Sequence, residues 1–202
     1  MARAQGPTAT RRRRHREIID AAAAVFSEKG YHGASTREIA ERIGMQQGSL
    51  YYHLRSKDAA LEEVCRIGVS DFVAGLDAIV ADDGSIEEKL RRAVANHLEP
   101  LRHRRDYVRT FLFGRYNLPR ELRGEVWRLT RQYEDLLEAL LRQGVSEGSL
   151  RPDLDCRLAM QAFIGMCNAA AVSHRPSSGP PLDACIAAFA DIILAGMRHT
   201  PG

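Results

Sequence analysis

Between Ser35 and Lys57 the chain reads STREIAERIGMQQGSLYYHLRSK, and its polar side chains are of types that exchange hydrogen bonds rather than break covalent ones. Gln46 and Gln47 carry amides that both donate and accept, the pattern that pairs bidentately with adenine N6 and N7. Gly48 and Ser49 are small enough to let a base edge come close. Tyr51, Tyr52 and His53 set hydroxyl and imidazole groups beside them, and Lys57 adds a positive charge suited to a phosphate at a helix N-terminus. Thr36 and Arg37, one turn earlier, can reach a phosphate and a base edge respectively. Together these residues have the chemistry needed to read an anionic, hydrogen-bonding polymer. The competing interpretation is the polar outer face of two ordinary packed helices.

Covalent chemistry has no comparable set. No H-E-x-x-H, G-x-S-x-G, P-loop or G-x-G-x-x-G arrangement occurs. His97 and His103 stand six apart, not at the i, i+4 spacing of helical metal ligands. Cys65, Cys156, Cys167 and Cys185 form no C-x-x-C pair and read as buried thiols of a reducing compartment. No enzymatic activity, catalytic residue, metal or cofactor is expected. No apolar run reaches the roughly 18 residues that span a bilayer. The basic N-terminal residues are not followed by a signal-peptide apolar stretch, so the expected location is the cytoplasm.

The elements that must position the reading residues are helical. Apolar residues recur at three and four rather than two, which points to an all-α chain of about nine helices. Ile18, Ala22 and Val25/Phe26 mark a first helix that Gly30 stops. Ser35 and Glu38 form a capping box opening a second, with Ile39 and Ile43 inward, and Gly44 ends it. A third runs from about Gln46 to His53, where Met45 and Leu50 plug the angle between the two. Gly44 is suited to a tight turn because a left-handed backbone penalises a Cβ. Ser56 caps a long fourth helix carrying Leu61, Val64, Gly68, Phe72 and Ile79. Ser85 and Glu88 open a fifth, which Pro100 ends or kinks. Asp106 to about Arg115 is a sixth, and Pro119 suits the first turn of a seventh with Leu122, Val126, Leu129, Leu136 and Leu140 as its stripe. Residues 155–173 and 181–197 are the eighth and ninth, separated by a Pro/Ser/Gly loop.

Charge is uneven along the chain. The overall formal charge is +3, but residues 1–58 hold eleven Lys/Arg against six Asp/Glu, while the remainder holds eighteen against twenty. That asymmetry fits a nucleic-acid-binding N-terminal end, although a chain with only three lysines carries an arginine bias of its own. Arg11 to Arg14, with Arg16, form an arm that either enters a minor groove or is a solvated tail attracted to any polyanion.

The segment closely resembles the TetR family of transcriptional regulators in Gly33, Ser35, Thr36, Ile39, Ala40, Gly44, Gly48, Ser49, Leu50, Tyr51, His53, Ser56 and Lys57. Leu54 stands where the family usually has phenylalanine. The resemblance is strong over residues 14–65 and architectural beyond. It implies a flexible basic arm (1–13), a three-helix helix-turn-helix DNA-binding domain (14–60) and a helical ligand-binding and dimerisation domain (61–202). It places Thr36, Arg37, Gln47, Gly48 and Ser49 at bases or nearby sugar and phosphate, and Tyr51, Tyr52, His53 and Lys57 on the backbone. Gln46 is added from geometry.

The same resemblance implies a homodimer on a palindromic operator, formed through helices eight and nine, which are rich in small residues such as Gly165, Ala169 to Ala171, Ala187 and Gly196. Two reading heads must lie roughly 34–36 Å apart to meet a palindrome. The alternative is that these helices pack only within one subunit. Leu98, Tyr107, Phe111, Tyr116 and Trp127, with Arg102 and Arg105 of a basic cluster, are the expected effector residues, or else plain core. The segment 147–155 and the loop 175–180 weakly resemble regulators of fatty-acid and steroid degradation that sense acyl-CoA thioesters. A drug-like hydrophobic effector is the competitor. The chain reads as a repressor released by its effector, with a ligand-independent or activating protein of the same fold as the alternative.

Overall fold

The structure is a computed structural model that describes residues 7–173 and 179–198. It contains α1 (Pro7–Gly33), α2 (Thr36–Arg42), α3 (Gln47–His53), α4 (Lys57–Val80), α5 (Ile86–Leu98), α6 (Pro100–His103) and α7 (Arg105–Gly114). A 3-10 turn (Arg115–Asn117), α8 (Gly124–Ser146), α9 (Cys156–Ser173) and α10 (Leu182–Met197) follow. The fold is all-α: no strand forms among the described residues, only an isolated bridge between Leu150 and Arg198. The chain divides into two compact units, Met1–Gly68 with Asp106–Val126, and Val69–Arg105 with Trp127–Gly202.

In the first unit, Ile18, Ala22, Val25 and Phe26 put the three-four stripe of α1 into a core shared with Ile39, Leu50, Leu61 and Val64. Gly30 has φ +70° and ψ 171°, a conformation essentially reserved for glycine, and breaks α1 there. The helix starts at Pro7, so residues 7–13 are helical rather than a flexible arm ahead of it. Residues 106–126 also belong to this unit, whereas the sequence reading put them in the second domain. The reason is side-chain docking that periodicity does not reveal. The Thr110 hydroxyl donates to the Ala23 carbonyl at 3.1 Å and the Tyr107 hydroxyl to Asp20 at 2.6 Å. Gly68 lets α4 approach closely: a Cβ there would lie 3.2 Å from the Tyr107 carbonyl oxygen.

In the second unit the core gathers Phe72, Leu76 and Ile79 of α4, Leu90, Val94 and Leu98 of α5, and Phe163 and Leu194 of the last helices. The capping box of α5 is formed, with Ser85 Oγ accepting from the Glu88 N–H at 3.3 Å and Glu88 Oε2 from the Ser85 N–H at 3.0 Å. Lys89 is buried and donates to the Val80 carbonyl at 3.1 Å, satisfying the C-terminal end of α4. Pro100 ends α5 and opens the four-residue α6, one helix more than expected. Pro119 does not begin α8. Leu122 and Arg123 bond back to its carbonyl in one turn that does not propagate, and the helix starts at Gly124. The buried stripe of α8 therefore runs through Val126, Leu129, Tyr133, Leu137, Leu140 and Leu141, with Leu136 only half-buried.

One polar network sits inside this second core. His97 stacks on Phe72 with ring centroids 5.1 Å apart and lies 3.1 Å from Asn168 Oδ1 through Nε2 and 2.9 Å from the Tyr133 hydroxyl through Nδ1. A carbonyl oxygen only accepts, so Nε2 carries the proton and Nδ1 accepts from Tyr133. Burial lowers the His97 pKa to about 4, keeping the ring neutral.

Candidate DNA-reading surface

The surface is built on α2, its turn and α3. Ser35 Oγ accepts from the Glu38 N–H at 3.3 Å, and Glu38 Oε2 accepts from the Ser35 N–H at 3.0 Å. An ion pair with Lys29, then the Ser35 hydroxyl, hold the Glu38 carboxyl below its usual range. Gly44 takes φ +64°, which lets the Met45 N–H return to the Ala40 carbonyl at 2.9 Å and turn the chain sharply. Leu50 is fully buried beneath α3 and Met45 half-buried, so the remaining face of α3 is pushed outward.

On that face Gln47, Gly48, Ser49, Tyr51 and Tyr52 are exposed, and Gln46 is the exposed N-cap whose side chain makes no capping bond. Gln47 Nε2 donates to Thr36 Oγ1 at 3.1 Å, and Thr36 Oγ1 lies 3.0 Å from the Tyr51 hydroxyl. This fixes the orientation of the Gln47 amide: one N–H is committed to α2, while Oε1 and the second N–H remain for a base edge. The Thr36 hydroxyl is thus engaged by both Gln47 and Tyr51 of α3 and ties the orientation of these side chains to α2.

Arg37 is exposed and donates to Glu41 at 2.7 Å. His53 is half-buried, its ring edge-on to that of Tyr52 at 5.4 Å. Lys57 does not join the network. Its ammonium donates to the Tyr31 and Ala34 carbonyls at 3.0 and 3.1 Å and sits 4.3 Å over the Tyr31 ring. The Tyr31 hydroxyl donates to Asp58, which pushes its pKa up to about 12. Lys57 and Asp58 thus clamp the start of α4 to the end of α1, leaving one ammonium proton for a phosphate. Spacing gave no signal for that clamp, whereas the Arg37–Glu41 pair stands at the i, i+4 spacing of helical ion pairs.

The expected effector residues fall in different units. Tyr107, Phe111 and Tyr116 belong to the first, and Leu98, Arg102, Arg105 and Trp127 to the second. Phe111 is buried with the Arg115 guanidinium 4.7 Å from its ring centroid, and Tyr116 is exposed. Leu98 is fully buried, and Arg102 pairs with Glu99 at 2.7 Å and with Asp183. Arg104 is held by Asp71 at 2.9 Å, so this part of the basic cluster is tied down locally. The segment 147–155 precedes α9, with Gly148 at φ +76°, and residues 175–178 of the resembling loop lie outside the described residues.

Residues 18–64 match the bacterial regulatory proteins of the tetR family, and residues 83–197 match the tetracyclin repressor-like C-terminal domain. The fatty acid metabolism regulator protein of Bacillus subtilis (strain 168) is 27% identical over 157 residues, 77% of this chain and 80% of that protein. The HTH-type transcriptional repressor KstR2 of Mycobacterium tuberculosis is 30% identical over 146 residues, 72% and 73% of the two chains. Its solved structure superposes with a TM-score of 0.86 at 26% identity, covering 93% of this chain and 96% of that one. AibR, solved in complex with isovaleryl coenzyme A and operator DNA, superposes with a TM-score of 0.80 at 26% identity, over 92% and 98%. With a formed helix-turn-helix and matches over both parts of the chain, this protein belongs to the tetR family of bacterial regulatory proteins.

Proposed function

We propose that the protein is a cytoplasmic, homodimeric repressor that grips a palindromic operator and releases it on binding a coenzyme A thioester of a hydrophobic acid. The observation that carries the DNA-binding half is the Thr36–Gln47–Tyr51 network, which presents one base-reading edge on an otherwise exposed helix. Gln47 reads a base, Gly48 and Ser49 allow close approach, and Tyr51, Tyr52, His53 and the spare Lys57 proton hold phosphates. Arg37 joins them by leaving Glu41, and Gln46 reaches from the N-cap.

Dimerisation is assigned to α9 and α10. Leu158 and Ile192 are 61% and 58% exposed, and exposed Ala162, Gly165, Ala188 and Gly196 accompany them. Such an apolar, small-residue face fits a second copy of the same helices, and a palindromic operator requires one. The effector class draws support from the relatives, one named for fatty acid metabolism and one crystallised with a short acyl thioester. Arg105 and Trp127 of the second unit are assigned to its phosphates and adenine, and Arg102 joins them by leaving Glu99 and Asp183. α4 leaves the first unit after Gly68 as one uninterrupted helix and carries the coupling. A coupling of about 1–3 kcal/mol changes operator affinity roughly 5–150-fold.

The test is fluorescence anisotropy on DNA from the region upstream of the protein's own gene, at fixed salt, with a panel of acyl and steroid thioesters. Release by some thioesters but not by free coenzyme A supports the assignment. Tight binding that no thioester reverses removes that effector class and leaves the regulator.

A further inference from the structure

The arginine run at the start of α1 is divided by helical geometry. Arg13 and Arg14 fall on one side and pair with Glu17 at 3.1 and 2.8 Å. Arg12, His15, Arg16 and Ile19 recur at three and four on another, with Arg11 beside them. His15 is taken by Glu63 of α4 at 2.8 Å. Arg11, Arg12 and Arg16 have no ion pair among the described residues.

These three arginines line a cleft of about 580 Å³ lying wholly within the first unit. Its floor is apolar, made by Ile19, Ile67 and Tyr107, whose hydroxyl is engaged by Asp20. His53, the last residue of α3, forms part of the same wall, and the Glu63 carboxylate that also lines it is engaged by His15. The volume falls in the ordinary range of small-molecule sites, roughly 300–1,000 Å³. Unpaired guanidinium groups above an apolar floor match a ligand that is acidic at one end and greasy at the other. A phosphodiester backbone would need the cations but not the floor.

We propose that this cleft binds a small anionic amphiphile, its acidic head held by Arg11, Arg12 and Arg16 and its apolar body lying on Ile19, Ile67 and Tyr107. Because His53 belongs to both the cleft wall and the reading helix, the occupied cleft and the operator compete. The cleft is independent of the thioester effector assigned above, and either stands if the other fails.

Calorimetry on the full chain, with decanoate and octyl phosphate below their micelle concentrations, tests it. Arg12→Ala/Arg16→Ala removes two cleft charges, and Arg13→Ala/Arg14→Ala removes the same number outside it. Both ligands bind the parent chain and the outer variant alike, and the cleft variant weakens them about tenfold or more, since each loses charge-assisted hydrogen bonds. The better-bound ligand shows whether the head is a carboxylate or a phosphate. Equal weakening by both variants overturns the proposal. So does inorganic phosphate displacing octyl phosphate at matched concentration, which reduces the cleft to an anion site. Loss of operator binding in the cleft variant, with neither amphiphile bound by the parent, assigns the arginines to the DNA backbone instead.

Discussion

Thr36, Gln47 and Tyr51 in the first unit, and Tyr133, His97 and Asn168 in the second, form side-chain networks of the same length in opposite surroundings. Each joins a hydroxyl to an amide. The first lies on an exposed helical face where water would satisfy every group, so it stabilises the fold little and mainly fixes which way an amide points. The second lies where water is excluded, so each bond offsets a desolvation cost and breaking one leaves an orphan. Rearrangement costs little in the exposed network and is prohibitive in the buried one.

The sharpest way to separate the two is acid. His97 is neutral when folded, with its pKa lowered to about 4, and titrates near 6.5 when unfolded. Between those values the unfolded chain binds the extra proton, so stability falls as pH drops from 6.5 to 4, by roughly 3 kcal/mol. Urea midpoints measured across that range should show the slope, and His97→Gln should flatten it. A flat parent profile would mean that His97 is not buried as described. Tyr133→Phe comes next, leaving His97 Nδ1 unsatisfied at a cost of about 1–2 kcal/mol. Operator affinity of the folded protein should stay unchanged, and a loss of binding would blur the comparison.

Thr36→Val has the smallest effect on folding, within about 0.5 kcal/mol, and a selective one on binding. Freed from Thr36, the Gln47 amide can reorient, so base preference at its position should relax. Against base-substituted operators, Gln47→Ala should reshape the preference profile, whereas Tyr51→Phe should lower every affinity alike. Thr36→Val should do some of both. A purely uniform loss would show that the network does not orient Gln47.

Much of this was readable in the residues. Ser35/Glu38 and Ser85/Glu88 each announced a helix start, because a capping box is a local bargain struck within four residues. Gly44 announced the turn for the same local reason. What escaped was set by distant partners. Lys57 looked free for a phosphate, yet two backbone carbonyls more than twenty residues away engage it. Pro119 satisfied the rule for a helix start and still did not begin one. Helix α7 belongs by its contacts to the first compact unit, and nothing in its own stripe reveals that Thr110 bonds to Ala23. The polar, exposed character of α3 was legible in its residue types, but the commitment of Thr36 was not, since it depends on two helices meeting.

The clamp of Lys57 and Asp58 onto Tyr31 and Ala34 carries an implication for inheritance. It closes one end of the stretch 35–54, and the Ser35 capping box closes the other. Both anchors use backbone groups or residues outside the exposed face of α3. Under the proposed function, substitutions at positions 46 to 49 therefore change what is read without disturbing the frame that holds it. Operator preference in such a protein can drift, or be exchanged as a cassette between relatives, while the remainder of the chain is inherited intact.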